Sequence, residues 1–328
     1  MSALSLKGPA WVTVRQYRRT LWLALTLALF ALAVVAGLRI YTAQEPLPMR
    51  DGTWIPGADN HGYPKLRAIM EYVSVVTMVL PGVVAAFVAG PMVAREYESG
   101  TYQLSLTQSV SPADWLRSKV TVATGFALLA MLAVMGLFWF GRLGVREGWD
   151  YHWGQAGTYT ATGVTALAQV LAAVAVGALV GQLVRRTLPA MAAAGLVMGV
   201  VTLAFNAYRW SILPLERATG SLGADGPFTP SGDHLYMDSG VLTSSGTPFD
   251  QAICWNQINA IPGIDGDPER WEKAQEQCYA EHGVTTQYLD YHPESHFWPT
   301  QLIETGIVLA LAALAAFAAF RVLRARHP

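Results

Sequence analysis

The sequence contains few charged residues. Only 14% of its 328 residues are charged, whereas soluble domains carry about 25%. The shortage comes from long apolar runs that contain almost no charge, so a single water-soluble domain is excluded. The net charge is −1, which gives no argument for a strongly charged partner, and we predict no binding of nucleic acid.

Motifs of common catalytic sites are also absent. The chain has no Gly-x-x-x-x-Gly-Lys-Ser/Thr phosphate loop, no His-Glu-x-x-His and no Gly-x-Ser-x-Gly. His292 and His296 are four residues apart, but Pro293 interrupts any helix there and no third metal ligand is evident. We therefore interpret both histidines as surface residues. We predict no catalytic residue, metal or cofactor in this chain, and any ATP hydrolysis with Mg²⁺ would take place in another polypeptide.

Long apolar runs are what the sequence has instead. A membrane-spanning helix needs about 20 apolar residues, since about 30 Å of hydrocarbon is crossed at about 1.5 Å per residue. Six segments meet this length and lack the polar face that a soluble helix would need. They are approximately Leu21–Ile40, Ile69–Val93, Val120–Phe140, Tyr159–Leu183, Leu188–Leu213 and Trp298–Phe320. The sequence thus predicts an all-α polytopic membrane protein with about six transmembrane helices, the first of them retained rather than cleaved as a signal peptide.

Basic residues predict the orientation of these helices. They cluster before the first helix, between the second and third, between the fourth and fifth, and after the sixth. By the positive-inside rule, both termini are cytoplasmic in a multi-pass protein of the bacterial plasma membrane. Residues 1–213 would then hold an interfacial segment, Trp11–Thr20, and five helices. Residues 214–297 would form an extracytoplasmic domain, and residues 298–328 the last helix and a basic tail.

The two cysteines agree with this orientation. Cys254 and Cys278 both lie in the predicted extracytoplasmic domain, where paired cysteines are usually bridged. Closing a loop of about 24 residues would stabilise the domain by roughly 3.5 kcal/mol in the chain-entropy model. Two unpaired thiols are the alternative, and a zinc site is less favoured because no close ligand spacing exists. We expect short helices and loops in this domain.

The stretch between the second and third helices is too long and too patterned for a simple turn. Glu96 and Glu98 follow the end of the second helix, and Gly100 offers a break in the backbone. Ser111 followed by Pro112 is typical of a helix N-cap, so a helix from Pro112 would run into the third apolar segment. The pattern fits a stiff cytoplasmic connection that passes force to the membrane helices. It equally fits a solvated loop with interfacial anchors.

This stretch, AREYESGTYQLSLTQSVSPADWLRSK (residues 94–119), resembles the intracellular loop of ABC-2-type transporter permeases, especially the actinobacterial branch. Residues 296–307, HFWPTQLIETGI, are similar to the start of the last helix in that branch. The resemblance implies six helices with both termini inside and a loop that docks on an ABC ATPase subunit. It assigns docking to Glu96, Glu98, Gly100, Thr101 and Trp115. Asp114 departs from the basic residue that many members have there.

Polar and small residues at membrane depth supply the remaining hypotheses. Polar and ionisable residues there are functional candidates, so the polar Asn206 and the ionisable Glu304 are predicted to line a substrate path. Glu304 alternatively reaches the interface or bonds a neighbouring helix. Arg209, near an outer helix end, is predicted to be interfacial. Gly-x-x-x-Gly motifs at 177–181 and 195–199 indicate close helix packing, within the chain rather than across a dimer seam.

The function that these patterns favour is the permease subunit of an ABC-type exporter, with a second permease copy or a paralogue as partner. It would be coupled to a separate ATPase through residues 94–119. The alternative is a membrane sensor or scaffold that uses its extracytoplasmic domain and transports nothing. An intramembrane enzyme is a third option, but we find no nucleophile–base pair or metal pair at one depth.

Overall fold

A computed structural model describes residues 15, 18–44, 49–50, 53–54, 60–106, 111–143, 151–222, 230, 232–264 and 266–326. The chain divides into two compact units. The first comprises Met1–Trp210 with Trp298–Pro328, and the second comprises Ser211–Phe297. The predicted interfacial segment at Trp11–Thr20 lies largely outside the described residues.

The first unit is built from helices. They are α1 Arg18–Thr42, α2 Tyr63–Val83, α3 Gly90–Glu98, α4 Thr101–Leu106, α5 Pro112–Arg142, α6 Ala156–Thr162, α7 Thr165–Val184, α8 Thr187–Tyr208 and, at the end of the chain, α11 Phe297–Arg326. A π-helical segment, Val84–Ala89, joins α2 to α3, and a 3-10 turn, Arg209–Ser211, follows α8. Two antiparallel strands of two residues each, β1 Met49–Arg50 and β2 Thr53–Trp54, lie between α1 and α2.

Among the residues that the structure describes, six helices are long and apolar enough to cross a membrane, which confirms the predicted number. They are α1, the continuous α2–α3 helix, α5, α7, α8 and α11. Helix α7 is the centre of the bundle, because most of its residues are buried, whereas α1 is almost entirely exposed. Large apolar side chains on the other helices point outward; Leu188, for example, is 76% exposed. Such a surface needs an apolar surrounding, which a bilayer supplies.

Close backbone contact between α7 and α3 depends on glycine. A Cβ at Gly181 would lie 2.7 Å from the carbonyl oxygen of Gly90. A Cβ at Gly195 of α8 would lie 3.1 Å from the Cβ of Ala86, whereas one at Gly199 would meet nothing within 4 Å. The first Gly-x-x-x-Gly motif therefore packs within the chain, as predicted, while Gly199 lies on an open helix face. The π-helical segment falls between Pro81 and Pro91, neither of which has a backbone N–H to donate.

The second unit contains a four-stranded antiparallel sheet in the order β3-β6-β4-β5. Its strands are β3 Glu216–Ser221, β4 His234–Thr243, β5 Pro248–Phe249 and β6 Val284–Pro293. Helices α9 Ala252–Asn259 and α10 Pro268–Glu281 lie between β5 and β6, and the Cys254–Cys278 disulfide links them. The predicted disulfide is thus confirmed.

The expected short helices are present as α9 and α10, but the expectation of loops for the rest of this unit was wrong, since it contains a sheet. Strand β6 is rich in tyrosine and β-branched residues, which favour a pleated and partly buried strand. The interpretation of His292 as a surface residue was also wrong. His292 lies in β6 and is 1% exposed, and its Nδ1 lies 2.9 Å from Nδ1 of His296.

Candidate functional site

Residues 94–119, which we call the elbow, connect the α2–α3 helix to α5. The hydroxyl of Ser111 accepts a hydrogen bond from the backbone N–H of Asp114 at 3.1 Å, and Pro112 occupies the first turn. This N-cap starts α5, which continues without interruption to Arg142. The helix predicted from Pro112 and the third membrane-length helix are therefore one rigid element. The Thr107–Val110 part of the elbow lies outside the described residues.

A tight reversal at Gly100 forms the tip of the elbow. Gly100 has φ +73°, a left-handed conformation that glycine adopts without strain. Helix α3 ends just before it and α4 begins just after it. The hydroxyls of Ser99 and Thr101 lie 2.8 Å apart across the reversal. Glu98, Ser99, Gly100 and Thr101 are all exposed, so the tip is a continuous accessible surface.

Glu96 fastens the elbow to the start of α5. One carboxylate oxygen accepts a hydrogen bond from Nε1 of Trp115 at 2.8 Å. The other pairs with Nζ of Lys119 at 2.5 Å. The two charged side chains are only 18% and 6% exposed, so this ion pair is largely shielded from water. Because burial weakens screening, the pair is a stronger constraint on the elbow than a surface salt bridge would be.

Three aromatic rings fill the inside of the elbow. The Tyr102 ring lies 4.7 Å from that of Tyr97 and 4.9 Å from that of Trp115. Burial raises the pKa of Tyr102 to about 12, so its phenol is neutral. The guanidinium of Arg185, at the end of α7, lies 5.5 Å from the Tyr97 ring centroid. The aromatic packing thus joins α3, α4 and α5 and reaches the end of α7.

Glu98 connects the elbow to a fourth helix. Its carboxylate accepts hydrogen bonds from the backbone N–H of Thr187, at 2.9 Å, and from the Thr187 hydroxyl. Thr187 is the first residue of α8, and the preceding Arg186 provides no side-chain cap. A carboxylate at a helix N-terminus satisfies a free N–H and is stabilised by the helix dipole. Glu98 therefore caps α8 from a position 89 residues earlier in the chain.

The five residues assigned to docking consequently divide into two groups. Glu98, Gly100 and Thr101 are exposed at the tip, whereas Trp115 is 3% exposed and Glu96 faces the interior. Neither Lys119 nor Thr187 was predicted as a partner of these glutamates. Lys119 is one of the basic residues between the second and third helices that the positive-inside pattern already explains, and a threonine after two arginines carries no distinguishing signal.

A second polar cluster is buried at the other end of α8. The guanidinium of Arg209 donates from Nε to one oxygen of Glu304 at 2.9 Å and from Nη2 to the other at 3.2 Å. It also donates from Nη1 to Oδ1 of Asn206 at 3.0 Å. Arg209 and Glu304 are 2% and 0% exposed. The prediction of an interfacial Arg209 was therefore wrong, because a bidentate partner on α11 holds it inside the bundle.

Neighbouring groups from α6 and α7 complete this cluster. The Arg209 guanidinium carbon lies 3.9 Å from the centroid of the Tyr159 ring, and Nε2 of Gln169 donates to Glu304 at 3.4 Å. Gln301, one turn before Glu304, accepts from the backbone N–H of Thr165 at 3.0 Å and from its hydroxyl at 2.6 Å. The structure thus brings together Asn206 and Glu304, and does so through an arginine shared by both. The cluster ties α6, α7, α8 and α11 in one place.

Comparison with known families agrees with this architecture. Residues 58–209 match the model of the family described as ABC-2 membrane transporter related. The matched region contains the elbow and every helix from α2 to α8. No curated protein shows a significant match to the chain. The family match, over just under half of the chain, and the six membrane-length helices together support a multi-pass membrane permease of the ABC-2 type.

Proposed function

We propose that this chain is the permease subunit of an ABC-type exporter in a bacterial plasma membrane. Both termini and the elbow would face the cytoplasm, as the positive-inside pattern predicts. Two copies, or this chain and a paralogue, would enclose the substrate path. ATP and Mg²⁺ would be bound by a separate ABC ATPase subunit that docks on the elbow.

The observation that carries this proposal is the construction of the elbow. Its tip is exposed, while Glu98 at the tip and Glu96, two residues earlier, are fixed to two different membrane-length helices. Glu96 binds Lys119 and Trp115 in the first turns of α5, and Glu98 caps α8. A partner that displaces the tip would therefore move both helices, whereas a solvated loop would absorb the displacement.

Helix α8 supplies a lever between the two polar sites. It has 22 residues and so a length of about 33 Å, at about 1.5 Å per residue. Its first residue is held by Glu98, and Asn206 and Arg209 lie at its far end. Because a helix is stiff along its axis, movement at Thr187 would change the geometry of the Arg209–Glu304 pair. We propose that this pair closes the outer part of the substrate path and opens during the ATPase cycle.

Two measurements test this function: the association of the chain with the ATPase, and the rate of ATP hydrolysis by that ATPase. The tagged chain would be purified from native membranes in mild detergent, and the proteins retained with it identified and their ATP hydrolysis measured. Thr101→Arg places a long cation on the exposed tip and should abolish retention of the ATPase or its stimulation. Thr247→Arg is the matched control, since Thr247 is an exposed hydroxyl residue in the second unit.

Two results would contradict the proposal. One is an ATPase that is retained equally by wild-type chain and the Thr101→Arg variant, with unchanged hydrolysis. The other is retention of some non-ATPase partner alone, which would favour a sensor or scaffold. Loss of the ATPase by the Thr247→Arg variant would likewise remove the assignment of docking to the elbow.

A further inference from the structure

An open groove lies between the first turns of α5 and the last turns of α11. Its volume is about 470 Å³. Arg117, Val120 and Thr121 of α5 form one wall, with spacings that place them on one helix face. The other wall, on α11, consists of Phe317, Phe320, Arg321 and Arg324. The groove belongs neither to the elbow tip nor to the buried cluster around Glu304.

The groove is apolar along Val120, Phe317 and Phe320, which we call its floor, and cationic at Arg117, Arg321 and Arg324, which we call its rim. Phe317 and Phe320 belong to the apolar part of α11, and Phe317 is 64% exposed. Arg321 and Arg324 follow Phe317 and Phe320 by four residues each, so they lie one turn later on the same face of α11. Arg117 lies opposite them on α5. All three arginines are exposed. A ligand that fits both zones has an aliphatic part and an anionic group at one end.

Little of this positive charge is neutralised by the protein. Arg117 pairs with Asp114 at 3.2 Å, but both side chains are at least 60% exposed, so the pair contributes little. Within the described part of the chain, no acidic side chain lies within salt-bridge distance of Arg321 or Arg324. The rim therefore has two guanidinium groups available to an external anion.

The end of α11 is held in place, so the groove is a defined site rather than a frayed terminus. Nη1 of Arg326 donates a hydrogen bond of 2.7 Å to the carbonyl oxygen of Gln182 near the end of α7. Leu323, between the two rim arginines, is 1% exposed and packs into the core. These contacts fix the rotation of α11 and keep Arg321 and Arg324 directed to the same side.

We infer that this groove binds an anionic phospholipid, with the phosphate between the arginines and an acyl chain along Val120, Phe317 and Phe320. Guanidinium groups bind phosphate oxygens with two parallel hydrogen bonds, and arginines at a helix end extend to the level of lipid headgroups. A soluble phosphate compound would satisfy the arginines but would leave the exposed Phe317 uncovered. The apolar floor therefore favours a lipid. The inference does not depend on coupling to an ATPase.

Native mass spectrometry of the full chain in detergent tests this site. The probes are phosphatidylglycerol and phosphatidylcholine with identical acyl chains, titrated separately, and the readout is the ratio of lipid-bound to free protein. Wild-type chain should bind phosphatidylglycerol preferentially. Arg321→Gln with Arg324→Gln should weaken phosphatidylglycerol binding by roughly 30-fold, since each arginine near a membrane surface contributes about five-fold.

The control is Arg95→Gln with Arg186→Gln, which removes two exposed arginines that do not line the groove. It should leave the preference within about two-fold of wild type. Arg321→Lys with Arg324→Lys keeps the charge and should retain at least a third of the preference.

Three results would overturn the inference. The first is equal binding of the two lipids by wild-type chain. The second is an equal loss of phosphatidylglycerol binding in the control variant, which would trace the effect to net charge, or a complete loss in the lysine variant, which would trace it to misfolding. The third is displacement of phosphatidylglycerol by millimolar inorganic phosphate, which would identify a site for soluble phosphate compounds instead.

Discussion

The Glu96→Ala substitution should release the elbow from α5. It leaves the Lys119 ammonium, 6% exposed, without its partner and removes the acceptor of the Trp115 indole N–H. Removing one member of a buried ion pair costs about 3–5 kcal/mol. Because Glu96 is 18% exposed and water reaches its edge, we take the lower limit, about 3 kcal/mol. Glu96→Gln keeps an acceptor for Trp115 and should cost less, about 1–2 kcal/mol.

Hydrogen exchange of the elbow amides measures this local loss. A decrease of about 3 kcal/mol in the free energy of opening corresponds to about 150-fold faster exchange, at tenfold per 1.4 kcal/mol. The effect should be confined to peptides covering α3, α4 and the first turns of α5. Exchange would be followed by mass spectrometry on the purified chain. Glu276→Ala is the control, because it removes an exposed glutamate of the second unit.

A double variant distinguishes the ion pair from general damage to the elbow. Glu96→Ala combined with Lys119→Met removes both charges, so no buried ammonium is left unpaired. Exchange in the double variant should be at least tenfold slower than in Glu96→Ala alone. Equal exchange in the single and double variants, or wild-type exchange in Glu96→Ala, would refute the view that this pair holds the elbow.

Three further predictions concern helix packing, the disulfide and an ion pair elsewhere in the chain. Gly181→Ala should lower the stability measured by thermal melting in detergent by about 1–3 kcal/mol, because its Cβ would lie 2.7 Å from a backbone oxygen. Gly199→Ala, on an open helix face, should change that stability by less than about 0.5 kcal/mol. Similar melting of the two variants would contradict the packing described. Cys254→Ser should lower the free energy of unfolding of the second unit by about 3.5 kcal/mol, measured as protease resistance against denaturant concentration in the full chain, and unchanged resistance would count against it. Hydrogen bonds from Arg217 lower the pKa of Asp290 below its usual 3.8. The ionised Asp290 therefore stabilises the second unit fully above about pH 4, and this contribution is lost as the pH falls through the lowered pKa. Asp290→Asn should remove that part of the pH dependence of stability, and an unchanged loss of stability at acid pH would show that the pair does not contribute.

Features that arise from local sequence were predicted well. Six membrane-length helices follow from the length of the apolar runs, since uninterrupted apolar segments have few other stable conformations. The N-cap at Ser111 and the reversal at Gly100 follow from the backbone preferences of those residues. The disulfide needed only two cysteines in one predicted compartment. The sheet of the second unit was missed because its pairing joins β3 and β4 to a strand some 50 to 70 residues later, and no hairpin motif announces it.

The sequence alone determined that this chain is a membrane protein with a patterned connection between its second and third helices and with ionisable residues at membrane depth. The tertiary structure decided what those residues contact. It turned Glu96 and Trp115 inward, made Glu98 the cap of α8, and paired Glu304 with Arg209. These contacts join residues 23, 89 and 95 positions apart. Helical periodicity specifies which face of a helix is apolar, but the partner across a helix interface is selected by how all the helices pack at once.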